Sequence, residues 1–290
     1  MPTLYVVATP IGNLRDFSPR AVETLKSVSF IAAEDTRVTM KLCQVFDIHT
    51  PLVACHQHNE ERVGEQLAER MLAEGADAAL TTDAGTPCVS DPGYLFAAAC
   101  AARGITVSPV PGCCAGVAAL SVSGFDAREW AFYGFLPRER KPLREKLLSL
   151  AAGPKVAIIH ESPYRVTDLV GAVAETLPDA RLSLSCDLTK LHELTLRGTP
   201  AEVLAALRAN PKTEKGEYCL VLDLHGVPVP EPETPAAEQS LEARLVERML
   251  SGDDLRAAAA ALTSAGEKKN AVKAAALRLK KLFSEGEEDA

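Results

Sequence analysis

Along residues 3–224, short apolar and β-branched runs alternate with longer stretches of helical period. Residues 4–8 form the first run, followed by a Pro/Gly loop. Ser18-Pro19 then supplies a capping hydroxyl and a proline for the first helical turn, opening a helix through Lys26. Residues 28–33, 52–55, 76–82 and 105–110 read as further strands. Helices over 37–46 and 60–73 separate them, and another is capped by Asp91-Pro92 and closed at Gly104. A small-residue helix follows Pro111-Gly112. Buried strands alternating with helices predict a parallel α/β sheet.

The pattern restarts near Trp130. Residues 131–135, 155–159, 182–186, 193–196 and 217–224 read as strands, and 138–150 and 163–177 as helices. The short link between 182–186 and 193–196 suggests antiparallel pairing, so the second sheet is expected to be mixed. Prolines at 228, 230, 232 and 235 then mark a stiff linker. Beyond it, Ala/Leu/Lys-rich helices are expected over 240–250, 253–262 and 268–283, the last two joined by Thr263-Ser264-Ala265-Gly266 at helix-turn-helix spacing. The expected organisation is an N-terminal α/β domain (1–122), a second α/β domain (123–226), a linker (227–239) and a helical domain (240–284) ahead of an acidic tail.

Composition narrows the classes. The 290 residues are 47% hydrophobic and 24% charged, enough for a sizeable core and too apolar for general disorder. The longest apolar run, 95–102, is far short of a membrane span, and the N-terminus reads as a strand, not a signal peptide, so a cytoplasmic protein is expected. Eight cysteines form no Cys-x-x-Cys pair and sit near no His at zinc-ligand spacing, which favours buried small side chains over a metal site. The net charge of −8 speaks against a nucleic-acid partner only until local basic segments are considered.

Ligands of open α/β sheets bind outside the carboxyl ends of the strands. Four loops of the first domain fall there, each dense in Gly, Pro or acidic residues: 9–14, 33–37, 83–93 and 111–116. No Gly-x-Gly-x-x-Gly, Walker-type Gly-Lys-Ser/Thr or Gly-x-Ser-x-Gly follows a strand. Backbone amides, small residues and the carboxylates Glu34, Asp35, Asp83 and Asp91 suit a ligand with positive charge and ribose hydroxyls better than a polyphosphate.

These residues resemble the tetrapyrrole-methylase superfamily, the class III S-adenosylmethionine (SAM) methyltransferases, and within it the branch that modifies ribosomal RNA. The matching stretches are Thr9-Pro10-Ile11-Gly12-Asn13-Leu14, Ala32-Ala33-Glu34-Asp35-Thr36-Arg37, His56-Gln57-His58-Asn59-Glu60, Asp83-Ala84-Gly85-Thr86-Pro87, Ser90-Asp91-Pro92-Gly93 and Gly134-Phe135-Leu136-Pro137. Glu161-Ser162-Pro163 with Arg165, residues 188–193 and Lys215-Gly216-Glu217 extend the likeness over about residues 3–225. The sequence departs from the pattern at Cys113 (Pro or Ser is usual), His160 (an aromatic), Tyr164 (His) and Cys186-Asp187 (Arg-Glu).

The resemblance implies SAM-dependent 2′-O-methylation of a decoding-region cytidine in small-subunit (16S) ribosomal RNA, within the small subunit, by a homodimer whose domains enclose SAM, with no metal. It implies cofactor contacts from Pro10, Gly12, Asp83, Ala84, Gly85, Thr86, Pro87, Pro111, Gly112, Ala115 and Glu161. Methyl transfer is an in-line displacement in which positioning dominates, and a ribose hydroxyl needs a base or an electrostatic stabiliser nearby. Glu34, Asp35, Lys190 and Glu193 are the candidates, with Arg37 holding phosphate or orienting a carboxylate. Capping of the helix that starts near Arg37 is the alternative for Glu34 and Asp35, with function favoured over it. His56 and His58 suit either RNA contact or plain surface, and 190–193 suit a loop salt bridge.

Two basic segments suit RNA: Arg138, Arg140, Lys141 and Arg144 after the Gly134–Pro137 motif, and Lys268, Lys269 and Lys273 on the last helix. Either could also be a solvated face. The rival readings are a methyltransferase acting on a porphyrin-like ring and a non-enzymatic nucleic-acid-binding regulator.

Overall fold

A five-stranded sheet forms around β1 (Thr3–Val7) in the computed structural model, in which residues 1–229 and 240–285 are described. The expected linker lies outside the described residues from position 230 on, as does the tail beyond 285. With β2 (Phe30–Ala33), β3 (Leu52–Ala54), β4 (Ala78–Thr81) and β5 (Thr106–Val110) the sheet order is β3-β2-β4-β1-β5, every pair parallel. All residues of β2 and β4 are buried, which explains runs such as Phe-Ile-Ala-Ala without a polar alternation.

Helices α1 (Pro19–Ser27) and α2 (Thr36–Val45) cover one face, where Leu25 and Cys43 pack with Val7, Ile31 and Ala79. Helices α3 (Glu60–Glu74) and α4 (Tyr94–Ala102) cover the other, where Met71 and Phe96 pack with Leu4, Phe30 and Leu80. The loop after β1 therefore leaves toward one face and the loop after its neighbour β4 toward the other. Such a parting of loops opens a crevice at the carboxyl edge of a sheet.

Helix α5 (Ala115–Ser123) follows β5 of the first sheet but packs on the second, its Ala119 against Val156, Ile158, Cys219 and Val221. The second sheet, β6 (Trp130–Phe135), β7 (Val156–Glu161), β8 (Arg181–Cys186), β9 (Leu194–Gly198) and β10 (Tyr218–Asp223), has the order β6-β7-β10-β8-β9. Only β6–β7 is parallel, so this sheet is mixed as expected. Its far face carries α6 (Arg140–Leu150), α7 (Val166–Thr176) and α8 (Pro200–Ala209) over the largest apolar cluster. By swinging across, α5 joins the carboxyl edge of the first sheet to the edge of the second at which β6 and β7 end and β10 begins.

Two local expectations need correction. Helix α8 is not among the helices read from the sequence, although Thr199 and Glu202 form a full capping box at its start. Asp91 does not cap α4: Gly93, at φ +119°, occupies the cap position, and Glu60 accepts its N–H at 2.5 Å.

Residues 241–285 form a separate unit of three helices, α9 (Leu241–Leu250), α10 (Leu255–Ser264) and α11 (Lys269–Glu285). Leu245, Ala258, Leu262, Val272, Ala275 and Leu279 form its core. Ser240 and Asp254 cap the first two helices, and Arg244–Glu267 and Arg278–Glu242 tie the bundle together.

Candidate active-site cleft

The crevice continues as a cavity of about 350 Å³ between the two sheets of residues 1–229. Ile11, Ala84 and Ser90-Asp91 form its first-sheet wall, Ala115 at the start of α5 its base, and His160, Glu161 and Tyr218 part of its second-sheet wall. Glycines set how closely the walls approach. A Cβ on Gly134, at φ +60°, would stand 2.8 Å from the Ser90 hydroxyl, and one on Gly12 would meet Lys190 Cγ at 2.5 Å. Cys88 and Ser90 also adopt left-handed backbone, at φ +68° and +65°, a strain that recurs at functional loops.

The carboxylates form a graded group. Glu34 Oε2 accepts from the Thr82 hydroxyl at 2.5 Å and from the Asp83 N–H at 3.3 Å. Asp35 caps α2 through the Arg37 N–H and is forked by the Arg37 guanidinium, whose hydrogen bonds hold its carboxyl down at about 2. Its own N–H donates to Asp83 Oδ1. Burial, then Glu34, pushes Asp83 up. Asp91 rises further, to about 6, through burial and the neighbouring Glu34 and Asp83, against a hydrogen bond with Thr82.

On the opposite wall, the Glu161 side chain is 1% exposed. Its Oε1 accepts from the Ser162 N–H at 2.7 Å. Its Oε2 has Arg165 Nη2 at 3.3 Å as an ion pair, yet receives no hydrogen bond. His160 Nε2 is likewise enclosed without a partner. The His160 ring lies edge-on to Phe132, and burial lowers its pKa, so the imidazole is neutral. Two enclosed polar atoms without hydrogen-bond partners, on residues that line the cavity, are a mark of a ligand-binding site.

Lys190 reaches over Gly12 from the β8–β9 loop, where Asp187 and Thr189 adopt positive φ. It bridges Asp187 and Glu217, each at 3.0 Å. Burial opposes its charge, but these two carboxylates hold the ammonium above the usual lysine range. Glu193 does not pair with Lys190; it accepts the Thr189 N–H at 2.6 Å and closes the loop.

The remaining expected contacts divide. Ala84, Ala115 and Glu161 line the cavity. Gly85 exchanges both backbone hydrogen bonds with Thr9, Thr86 donates to the Cys113 carbonyl at 2.9 Å, and Pro87 is buried, so these three brace the loops. Pro111 is exposed, and Gly112 lets its loop close on Ala8. Pro10, Gly12 and Asp83 line a second depression of about 270 Å³ against α2. Arg37, Arg138, Arg140, Lys141 and Arg144 are exposed, Arg140 pairing with Glu175. Lys268, Lys269 and Lys273 are exposed at and just before the start of α11 in the helical unit. All eight cysteines are free thiols, four of them buried. Phe135, His160, Glu217 and Tyr218 line the cleft without having been assigned to it from the sequence. The signal for them was indirect: Phe135 and Glu217 lie in motifs of the resemblance, and His160 is one of its departures.

Residues 3–204 match the family described as Tetrapyrrole (Corrin/Porphyrin) Methylases. The chain is 41% identical over 271 residues to ribosomal RNA small subunit methyltransferase I of Pseudomonas aeruginosa, covering 92% of this chain and 94% of the relative. It is 45% identical over 231 residues to the protein of that name from Halalkalibacterium halodurans, covering 80% and 78%. Among solved structures, diphthine synthase matches with a TM-score of 0.55 at 13% identity, covering 77% of this chain and 90% of that one. Uroporphyrin-III C-methyltransferase from Thermus thermophilus, complexed with S-adenyl homocysteine, matches at 0.51 and 15% identity, covering 77% and 97%. At these identities the structural likeness is one of fold.

Proposed function

The chain belongs to the tetrapyrrole (corrin/porphyrin) methylase family, and from that premise we propose that it is a SAM-dependent methyltransferase acting on a ribose 2′-hydroxyl of small-subunit (16S) ribosomal RNA, at a decoding-region cytidine. The observation that carries the cofactor half is the enclosed Glu161 in the wall of a cavity of about 350 Å³, its Oε2 without a hydrogen bond. That volume falls in the range of about 300–1,000 Å³ found for small-molecule sites. A buried carboxylate and the half-buried Asp91 suit a ligand bearing a sulfonium and an ammonium, and small residues at Ala84 and Ala115 allow close backbone approach. The relatives named as ribosomal RNA methyltransferases support the RNA half, as do the exposed cations after β6.

When bound, SAM supplies a methyl group on a sulfonium that departs as a neutral thioether. The chain's task is then to position the acceptor oxygen and favour its negative charge. Lys190, kept cationic by Asp187 and Glu217, suits stabilisation of that oxygen. Asp35 is engaged by Arg37 and Glu193 by its own loop, which leaves Glu34, with Oε1 unengaged, as the carboxylate best placed to take the proton. A homodimer is part of the same reading; exposed Leu14, Val38 and Val45 on and beside α2 offer it an apolar face. No described helix is long and apolar enough to cross a membrane, and we expect a cytoplasmic enzyme. Labelled SAM offered with small ribosomal subunits and, in parallel, with a tetrapyrrole tests the proposal. Label in the RNA supports it; label only in the tetrapyrrole overturns it.

A further inference from the structure

Phe135 and Tyr164 are left 60% and 78% exposed at the carboxyl end of the parallel pair β6–β7. The Phe135 ring is held from behind. Phe135 pairs in register with His160, its ring edge-on to the imidazole at 5.9 Å, and His160 rests in turn on Phe132 at 5.0 Å. The outermost ring of this row is supported from behind and open in front. Tyr164 sits in the turn that leads into α7. Arg165 joins that turn to the one after Phe135: its Nη2 donates to the carbonyls of Pro137 at 3.2 Å and Leu136 at 3.5 Å while pairing with Glu161.

Cations adjoin the rings. Arg138, Lys141 and Arg144 are exposed and, among the described residues, make no ion pair, while Arg140 pairs with Glu175 and Lys146 lies over Tyr133 at 4.7 Å. Phe135 also lines the cleft itself. Two open aromatic rings, Phe135 backed by His160 and Tyr164 on the adjoining turn, with unpaired cations following Phe135 in the chain, match the two features of an unpaired nucleotide, a π-face and a phosphate. A protein partner chosen for apolar burial would not need the cations.

We propose that Phe135 and Tyr164 form a stacking platform for unpaired RNA bases next to the modified nucleotide, with Arg138, Lys141 and Arg144 holding the adjoining phosphates; this rests on the RNA reading above. The platform would hold single-stranded substrate at the cleft mouth, so that the acceptor ribose enters alone.

The test titrates the full chain with a single-stranded RNA oligonucleotide carrying 2-aminopurine, whose fluorescence falls when it stacks. Phe135→Ala and Tyr164→Ala are each expected to weaken binding by about tenfold and to diminish the quench. Phe135→Trp should retain both, while Arg138→Ala with Lys141→Ala should lower the salt dependence and keep the quench. Both rings are exposed, so thermal midpoints report whether each variant is folded. Wild-type affinity and quench in both alanine variants would overturn the platform and leave the RNA reading standing. Loss of a dimer with RNA affinity unchanged would instead assign the rings to a second copy of the chain. SAM binding by the unaltered protein without any RNA binding would remove the RNA reading and the platform with it.

Discussion

Replacing Asp91 with Asn should make the protein more stable at neutral pH. Asp91 is held near a pKa of about 6 by burial and by the negative charges of Glu34 and Asp83. The folded state therefore binds a proton at Asp91 more tightly than the unfolded chain does. Stability from this group is complete below the ordinary carboxylate value of 3.8 and is lost as pH rises through about 6. A shift of about 2 corresponds to ~3 kcal/mol at 1.36 kcal/mol per unit. Water reaching this half-buried group screens part of it, and we take about 1.5 kcal/mol. Asn keeps the shape and removes the charge. At pH 8 the variant should melt roughly 3–6 °C higher than wild type. The gain should shrink to about half at pH 5 and nearly vanish at pH 3, because wild type is then largely protonated in both states. Thermal unfolding followed by circular dichroism at the three pH values measures this. A difference independent of pH, or a less stable variant at pH 8, would refute the reasoning. If Asp91 faces the cofactor's positive charge, calorimetry should show weaker SAM binding by the same variant, an exchange of stability for function.

Four further outcomes follow from particular contacts. Gly64→Ala places a Cβ 2.9 Å from the Phe96 Cα where α3 meets α4, and should cost about 1–3 kcal/mol in denaturant unfolding. Arg165→Ala leaves the enclosed Glu161 charge without its partner; a quarter of the Arg165 side chain is exposed, so we expect about 2 kcal/mol, below the range for a fully buried pair. Thr199→Ala removes the capping box of α8 and should cost about 1 kcal/mol, whereas Thr199→Ser should cost little. Joint replacement of Lys268, Lys269 and Lys273 by Ala should reduce the slope of log affinity for RNA against log salt by about 2 if all three meet phosphate; an unchanged slope removes them from the interface.

Period and composition reveal the strands of both sheets because each element is locally consistent: β2 and β4 are apolar throughout, and Ser18-Pro19 opens α1 in the sequence as in space. The capping box of α8 is equally local and was readable from Thr199, Pro200 and Glu202. Asp91 is different. Its place depends on left-handed backbone at Cys88, Ser90 and Gly93, which turns the carboxylate toward the cleft and gives the cap position to glycine. Non-local pairing hides more. Phe135, His160 and Tyr218 meet only because β6 and β10 flank β7, and Lys190 reaches Glu217 only because β8 lies beside β10. The four glycine- and acid-rich loops locate the site from sequence, but whether a residue lines it or braces it, as Ala84 and Thr86 respectively do, depends on packing.

The most direct measurement is methyl transfer from labelled SAM to small ribosomal subunits purified from a strain lacking this protein, with the product nucleoside mapped by mass spectrometry. We expect one 2′-O-methylcytidine in the decoding region, absent when Lys190 is replaced by Met. No incorporation despite measurable SAM binding, or a methyl group on a base instead of a ribose, would contradict the proposed function.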